Sequence, residues 1–166
     1  MLISRTDIAQ YRQISKTVNV DILNQNILDA EFVDLQGLIG SDFYNDILRN
    51  ISTYSDLLDG STYTYSGITY TNVGLKAVLS YYSYARYIMF GSQVDTPFSY
   101  VEKLNGQTSQ PVSNDSKKTM FKMNQQIAFT YWENVQSFLN RNATTYPLWK
   151  NNCNLKTGNF RISKIG

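Results

Sequence analysis

The chain of 166 residues contains no histidine, one cysteine and three prolines, and only 17% of its residues are charged. Because histidine is the commonest acid–base group and metal ligand near neutral pH, its absence excludes Ser–His–Asp and Cys–His catalysis. The single cysteine, Cys153, excludes an intramolecular disulfide and a cysteine-based zinc site. Lys150 and Lys156 would favour its thiolate form, but we interpret this thiol as incidental.

Long apolar runs and phosphate-binding loops are also missing. The N-terminal sequence MLISRTDIAQ lacks the apolar core of a signal peptide. No uncharged apolar run approaches the roughly 20 residues that span a bilayer. The stretches LIGSDF and FGSQVD lack the spacing and the lysine of a phosphate-binding glycine loop. We therefore expect synthesis in a cytoplasm, no membrane partner and no phosphate site of this kind.

Two pairs of carboxylates remain as candidates for acid–base or metal chemistry. Asp42 and Asp46 would share one face of a helix, and Asp56 and Asp59 lie in a stretch typical of a turn. A structural interpretation fits both pairs, since Asp42 suits a helix cap and Asp46 suits the first helical turn. We favour it, and we expect no catalytic residue, no metal, no cofactor and no enzyme activity.

The charges that are present are unevenly placed. Residues 1–116 hold seven basic and twelve acidic side chains, whereas residues 117–166 hold eight basic side chains and one acidic one, Glu133. This asymmetry indicates either a solvated basic tail or a tail that meets an acidic partner, which is nucleic acid, another protein or a second copy of this chain. No recognisable nucleic-acid-binding module accompanies it, so sequence-specific DNA binding is not expected.

Apolar residues at helical spacing predict a mainly α fold. The predicted helices run from Thr6 or Asp7 to Ile14, from Asp21 to Gly37 or Gly40, from Ser41 or Asp42 to Ile51, from Asn72 or Gly74 to Phe90, and from Ser116 to Asn142, with a further helical turn at Phe98 to Leu104. Residues 105–115 are predicted to be a loop, and 159–165 a possible strand. In the last helix, the expected core stripe is Met120, Met123, Ile127, Tyr131, Val135 and Phe138.

Tyrosine is abundant, and nine of the thirteen tyrosines lie between Tyr54 and Tyr100. In the segment STYTYSGITYTN, threonine and tyrosine alternate around Ser66–Gly67, which predicts a β-hairpin at about 61–71. Its projecting rings are Tyr63, Tyr65 and Tyr70. Because an isolated two-stranded hairpin is only marginally stable, it should pack on the domain or on a neighbour.

The helix over 75–90 is apolar nearly all round, since Lys76 and Arg86 are its only charged residues. Such a helix is covered on more than one side. Either it is the central helix of its own domain, or a second subunit supplies part of the cover. On the second alternative, Tyr81, Tyr84 and Tyr87 would contact that subunit.

These patterns together predict a mainly α chain, a small bundle of four to five helices with one β-hairpin insertion and extended termini. Residues 1–150 form the predicted helical domain, and residues 151–166 an extended basic C-terminal tail.

The order of helices and loops resembles the head–tail connector proteins of tailed bacteriophages, also called portal adaptors or neck ring proteins, in the version found in crAss-like phages. The residues that carry the resemblance are the early helix leading into LQGLIGSDFYNDIL, the Tyr-rich helix LKAVLSYYSYARYIMFG, the segment TPFSYVEKL with the polar loop after it, and WENVQSFLNRNATTYPLWK. The resemblance covers about 21–150 and is one of pattern, without a single diagnostic motif.

The resemblance implies a virion structural protein. Twelve copies would form a ring below the portal at the neck, extend the channel through which genomic DNA passes, and dock the next neck or tail ring protein. The helices over 75–90 and 117–142 would supply the core and part of the lateral contacts. The hairpin and the chain ends would reach neighbouring subunits; the interface candidates at the C-terminal end are Trp149, Phe160, Arg161 and Lys164.

Two other functions remain open at this point. A different neck ring or tail-completion protein would share this composition but have other neighbours. A cytoplasmic helical protein that regulates or binds nucleic acid would instead use the basic tail.

Overall fold

A computed structural model describes residues 1–91, 93–95, 100–102 and 112–149. The helical elements are α1 (Arg5–Tyr11), α2 (Val20–Asp29), a π-helical segment (Ala30–Leu35), α3 (Gln36–Ile39), α4 (Ser41–Arg49), a 3-10 turn (Ile51–Tyr54), α5 (Ser55–Leu58), α6 (Leu75–Phe90) and α7 (Asn114–Arg141). The strands are β1 (Ser61–Tyr65), β2 (Ile68–Asn72), β3 (Gln93–Asp95) and β4 (Tyr100–Glu102). The predicted fold class, a mainly α bundle with a β-hairpin, is confirmed. The described residues form more helices than the four to five predicted, because they include short ones such as α3 and α5.

Helix starts differ by a few residues from those predicted, because other side chains supply the caps. Ser4, rather than Thr6 or Asp7, caps α1: its hydroxyl accepts from the Thr6 N–H at 3.2 Å, and Asp7 accepts from the Ser4 N–H at 2.7 Å. Asn19 caps α2 in the same way. At α7 the cap is Ser113. Each cap satisfies N–H groups that the first helical turn leaves unpaired.

The helix predicted from Asp21 is interrupted by the π-helical segment. Glu31, in its first turn, is 1% exposed. Its carboxylate accepts hydrogen bonds from the Leu2 N–H and, at 2.9 Å, from the Tyr44 hydroxyl. Burial and this bond raise the pKa of Tyr44. The residues before α1 therefore pack on the domain, with Leu2 and Ile3 buried.

Two glycines allow the two ends of the hairpin to approach each other closely. Gly60 and Gly74 both have positive φ, at 92° and 83°. A Cβ at Gly74 would lie 2.5 Å from the Leu58 carbonyl oxygen, so no larger residue fits there without a shift of the backbone. Buried Asn72 links the end of β2 to the residues before the hairpin, since its side-chain amide donates to the Asp56 carbonyl at 2.7 Å.

Helix α6 is the centre of the bundle, with the bounds predicted. It packs against α7 on one side and against α1, α2 and the π-helical segment on others. Arg86 joins it to that segment through two hydrogen bonds to the Asp34 carboxylate, at 2.8 and 3.2 Å. The cover predicted for this apolar helix therefore comes largely from its own chain.

The helical turn predicted at Phe98 to Leu104 is wrong where the structure describes it. Residues 100–102 form β4, which pairs antiparallel with β3 and aligns Val94 with Val101. β-branched and aromatic residues favour extended backbone, and Tyr100 and Val101 supply both. The predicted strand over 159–165 and the basic tail 151–166 lie outside the described residues.

Candidate interaction surfaces

Of the four carboxylates in the candidate acid–base pairs, Asp46 and Asp59 have side-chain partners, and Asp56 is exposed. Asp46 accepts hydrogen bonds from the Tyr54 hydroxyl and from the Asn50 side chain. Burial and the bond to Asp46 raise the pKa of Tyr54 to about 12. Asp59 forms an ion pair with Lys76 at 2.6 Å. Asp42 is exposed in the first turn of α4, where Gly40 and not Ser41 or Asp42 is the cap residue.

The described ranges lack two specific features. No group of three or more potential ligands among these residues could hold a metal ion. Within the same ranges, no helix is both long and apolar enough to cross a membrane. The groove beside α7 is open, and its carboxylate, Asp34, already pairs with Arg86. The features described next are the hairpin, the tyrosines and the exposed apolar side chains, which could contact another protein.

The hairpin packs on α7 around a cation. The two-residue turn has positive φ at Ser66 and Gly67, 51° and 78°, as a type I′ turn requires. Arg141 lies 3.9 Å from the Tyr70 ring centroid and 5.3 Å from that of Tyr65, and donates to the Tyr63 hydroxyl at 3.0 Å. These contacts hold the hairpin by its tyrosine face.

Tyr63 also lies edge-on to Phe138, with ring centroids 5.0 Å apart, and stacks on Tyr70 at 5.6 Å. Two of the three rings predicted to project are thus half-buried in their own chain, and Tyr65 is exposed. The sequence placed Arg141 in the basic C-terminal stretch and missed its role. The available signal was the seven-residue spacing between Arg141 and Asn134, which places both residues on nearly the same face of α7. Asn134 also contacts the hairpin.

Asn134 joins the edge of β2 to α7. Its side-chain oxygen accepts from the Val73 N–H at 3.0 Å, and its amide donates to the Thr71 carbonyl at 3.0 Å. A side-chain amide here replaces the hydrogen bonds of a further strand. The hairpin is therefore anchored to the domain, as its marginal stability required.

The other predicted interface tyrosines have partners in the same chain. Tyr81 is 7% exposed, lies 4.9 Å from the Tyr131 ring and sits under Arg12. Tyr84 is half-buried and donates to the Gln13 carbonyl at 3.2 Å. Tyr87 is half-buried on the last turns of α6. Contact with another subunit stays a prediction for these residues.

Trp149 is 6% exposed and donates to the Asn140 side chain at 2.9 Å. Its ring meets that of Trp132 edge-on at 5.8 Å. The other predicted contact residues of this end, Phe160, Arg161 and Lys164, lie outside the described residues, as does Cys153.

Two exposed apolar patches were not predicted. The α7 patch consists of exposed Met120 and Met123 with partly buried Ile127 beside them. The α2 patch, at the end of α2 and on the π-helical segment, consists of exposed Leu28, Phe32 and Val33. The sequence placed the α7 patch in the core stripe, which is wrong for Met120 and Met123, 39% and 59% exposed. Helical periodicity tells which residues share a face, and cannot tell whether that face is covered.

The two patches differ in the charges beside them. On α2, exposed Asp21 and Asp29 make no ion pair with any residue that the structure describes. On α7, exposed Lys122 borders Met123 and Ile127 along an open groove. The charge asymmetry of the sequence thus persists on the folded surface.

A family model described as a family of unknown function, DUF6712, matches residues 35–159. Because the match covers most of the chain, the protein belongs to this family. No curated protein and no solved structure matches the chain.

Proposed function

We propose that this DUF6712 protein is a non-enzymatic subunit of the neck of a tailed bacteriophage, a head–tail connector that forms a ring below the portal. The proposal rests on the resemblance of the sequence to such connectors, and the confirmed mainly α fold with a hairpin is compatible with it. In this role, twelve copies would surround the DNA channel and dock the next neck or tail protein.

The structural observation that supports a ring is the pair of unlike apolar patches on one chain. Ring formation is head-to-tail and needs two different, complementary surfaces on every copy. The α2 patch and the α7 patch are apolar, lie on different elements of the bundle and have acidic and basic neighbours respectively. In such a ring, the α2 patch of one copy would pack on the α7 patch of the next.

The chemistry of the α7 patch suits the centre of such an interface. Methionine side chains adapt to an irregular partner surface, and Thr119 and Thr130 beside them are exposed and neutral. Dehydrating neutral groups is much less costly than dehydrating unpaired charges. Lys122 at the border would meet Asp29 of the adjacent copy and set the register of the contact.

The test introduces charge into the α7 patch of the complete chain in the phage that encodes it. The double variant Met120→Glu/Met123→Glu should leave filled heads without tails, because two carboxylates prevent the neighbouring α2 patch from docking. Electron microscopy of lysates counts joined particles, and a particle reconstruction locates the wild-type chain.

A matched control adds the same charge elsewhere. Thr53 is exposed on the 3-10 turn and belongs to neither patch, so Thr53→Glu should give normal particles. Purified double variant should unfold at the same urea concentration as wild type, since both methionines are exposed. Normal head–tail joining by the double variant would refute the patch contact, and absence of the chain from purified wild-type particles would refute the connector function.

The same purified protein distinguishes the connector from the nucleic-acid-binding alternative. A connector that lets DNA slide should bind duplex DNA weakly. Tight binding that falls steeply with salt would support the regulatory protein instead.

A further inference from the structure

Glu31 is a buried carboxylate that has no cationic partner among the described residues. It is 1% exposed, and its two oxygens accept from the Leu2 N–H and, at 2.9 Å, from the Tyr44 hydroxyl. Both donors are neutral, and Glu31 forms no ion pair within the described ranges. Burying an unpaired charge is costly, and an apolar side chain of similar volume would avoid that cost. The carboxylate is therefore better explained by the geometry that it fixes than by stability.

The first donor belongs to the arm, residues 1–4, which precedes α1. Leu2 and Ile3 are 7% and 4% exposed and belong to the core. Because the Leu2 N–H is a backbone group, its bond to Glu31 fixes the path of the chain and not only one side chain. The arm is thus joined to the core by packing and to the π-helical segment by a buried hydrogen bond.

The second donor lies beneath the α2 patch. Tyr44 is 2% exposed, and its ring lies against that of Phe32, with centroids 5.8 Å apart and planes tilted by 59°. Moving this ring away from Phe32 would stretch or break the buried hydrogen bond between Tyr44 and Glu31. Phe32, which is 56% exposed, also follows Glu31 directly in the sequence. Glu31 therefore acts on Phe32 by two routes, along the backbone and through the Tyr44 ring.

The backbone that carries this part of the α2 patch is π-helical. The Gln36 N–H donates to the Glu31 carbonyl, five residues earlier, where an α-helix would use a spacing of four. π-helical turns are rare and occur frequently at functional sites. A return to α-helical geometry would shift the hydrogen bonds by one residue and turn Phe32 and Val33 by about 100° relative to the residues that follow. The orientation of two of the three patch residues thus depends on this segment.

We infer that Glu31 is a positioning residue of the α2 patch, and that docking of the arm on Glu31 holds Phe32 and Val33 in the orientation in which they contact a partner. The arm and the patch are then coupled: release of the arm loosens the patch, and a partner bound to the patch secures the arm. This inference rests on the proposed function only for the identity of that partner, the α7 patch of an adjacent copy.

Amide hydrogen exchange of the purified full-length chain, diluted until it is monomeric, tests the positioning role. Glu31→Ala removes both acceptors. Exchange at Phe32 and Val33 should then accelerate about tenfold more than exchange at Val135 in α7, because the segment opens locally. Glu31→Gln keeps an oxygen for the Leu2 N–H and a polar group beside Tyr44, so it should restore most of the protection.

Substitutions in the arm test the other end of the coupling. Leu2→Pro removes the N–H that Glu31 accepts, and it should also accelerate exchange at Phe32, about 30 residues away in the sequence. Leu2→Ile keeps both the N–H and the apolar volume and should exchange as wild type does. As a control for the loss of a carboxylate, Glu133→Ala on the exposed side of α7 should leave exchange at Phe32 unchanged.

Association of the chain measures the consequence for the surface. At equal fraction folded, determined from urea midpoints, Leu2→Pro should weaken association about threefold or more in light scattering, whereas Leu2→Ile should not. Since coupling is reciprocal, exchange at the Leu2 amide should be slower in associated wild-type protein than in diluted protein.

Two outcomes would overturn the inference. Equal acceleration at Phe32 and Val135 in Glu31→Ala would show that Glu31 contributes to global stability alone. Unchanged exchange at Phe32 in Leu2→Pro would show that the arm and the patch are independent, and this variant decides the matter if Glu31→Ala does not fold. The exchange measurements use the monomer, so their failure is distinguishable from failure of the connector function, which the Met120→Glu/Met123→Glu variant tests.

Discussion

One face of α7 is covered along its C-terminal half and open along its N-terminal half. Met120, Ile127, Asn134 and Arg141 follow one another at seven-residue intervals and so lie on nearly the same face. Asn134 and Arg141 hold the hairpin through hydrogen bonds and ring contacts. Met120 and Met123 are exposed, and Ile127 is only partly buried against the core.

The chemistry of the two halves matches this difference. The covered half uses groups with directional bonds, an amide and a guanidinium, and their partners lie in the same chain. The open half has side chains without hydrogen-bonding requirements, which lose nothing polar when they are dehydrated. A single helix thus combines an internal anchor with a surface suited to an external partner.

The largest change in the free energy of unfolding is expected from Phe138→Ala, in the covered half of α7. Phe138 is 4% exposed and contacts the rings of Tyr63 and Tyr146. Its truncation should reduce the free energy of unfolding by about 3–5 kcal/mol, because the cavity persists where several rings converge. Urea unfolding followed by circular dichroism measures the loss.

The matched substitution in the open half is Met123→Ala. Since Met123 is 59% exposed, its truncation should change the free energy of unfolding by less than about 0.5 kcal/mol. Similar losses for both variants would mean that the two halves do not differ in cover.

A smaller effect is expected from Asn134→Leu. The variant leaves the Val73 N–H and the Thr71 carbonyl without their side-chain partner, at a cost of about 0.5–1.5 kcal/mol, because both positions are open enough for water to replace it. Asn134→Asp retains an acceptor for the N–H and should lose less. Hydrogen exchange at Val73 should accelerate in the leucine variant alone, and equal exchange in both would argue against the anchoring role.

The last predicted effect is confined to alkaline pH and concerns the rings that pack on the covered half of α7. The ring of Tyr54 stacks on Tyr146, which contacts Phe138, and the pKa of Tyr54 is raised from 10.0 to about 12. The unfolded state therefore loses this proton first, so the stabilisation is complete below pH 10 and declines between pH 10 and 12.

Urea unfolding at several pH values measures this decline. The advantage of wild type over Tyr54→Phe should narrow as the pH rises through that range. A constant difference between the two proteins would contradict the assignment, and Met123→Ala should follow the wild-type pH dependence.

Local signals predicted much of the fold. The bounds of α6 followed from an apolar run preceded by Gly74, and the hairpin turn from Ser66–Gly67 between alternating residues. Strands β3 and β4 were missed, since three residues each are too few to establish a period of two. The π-helical segment was missed because its buried Glu31 is satisfied by Leu2 and Tyr44, which are distant in the sequence.

Among the candidate contact residues, the sequence singled out the tyrosines by type, but their surroundings were not predictable. Tyr81 and Trp149 are buried against partners far along the chain, and Met120 and Met123 are exposed although they follow a core spacing. Exposure depends on which element lies opposite, and a one-dimensional period contains no information about it.

The sequence by itself determined the absence of histidine chemistry, the positions of the long helices and the hairpin turn, because these depend on composition and on residues a few positions apart. Only the tertiary structure decided that Asn134 joins the hairpin to α7, and that α7 is covered along half its length. Those outcomes depend on contacts between residues more than sixty positions apart, such as Asn134 with Thr71 and Val73.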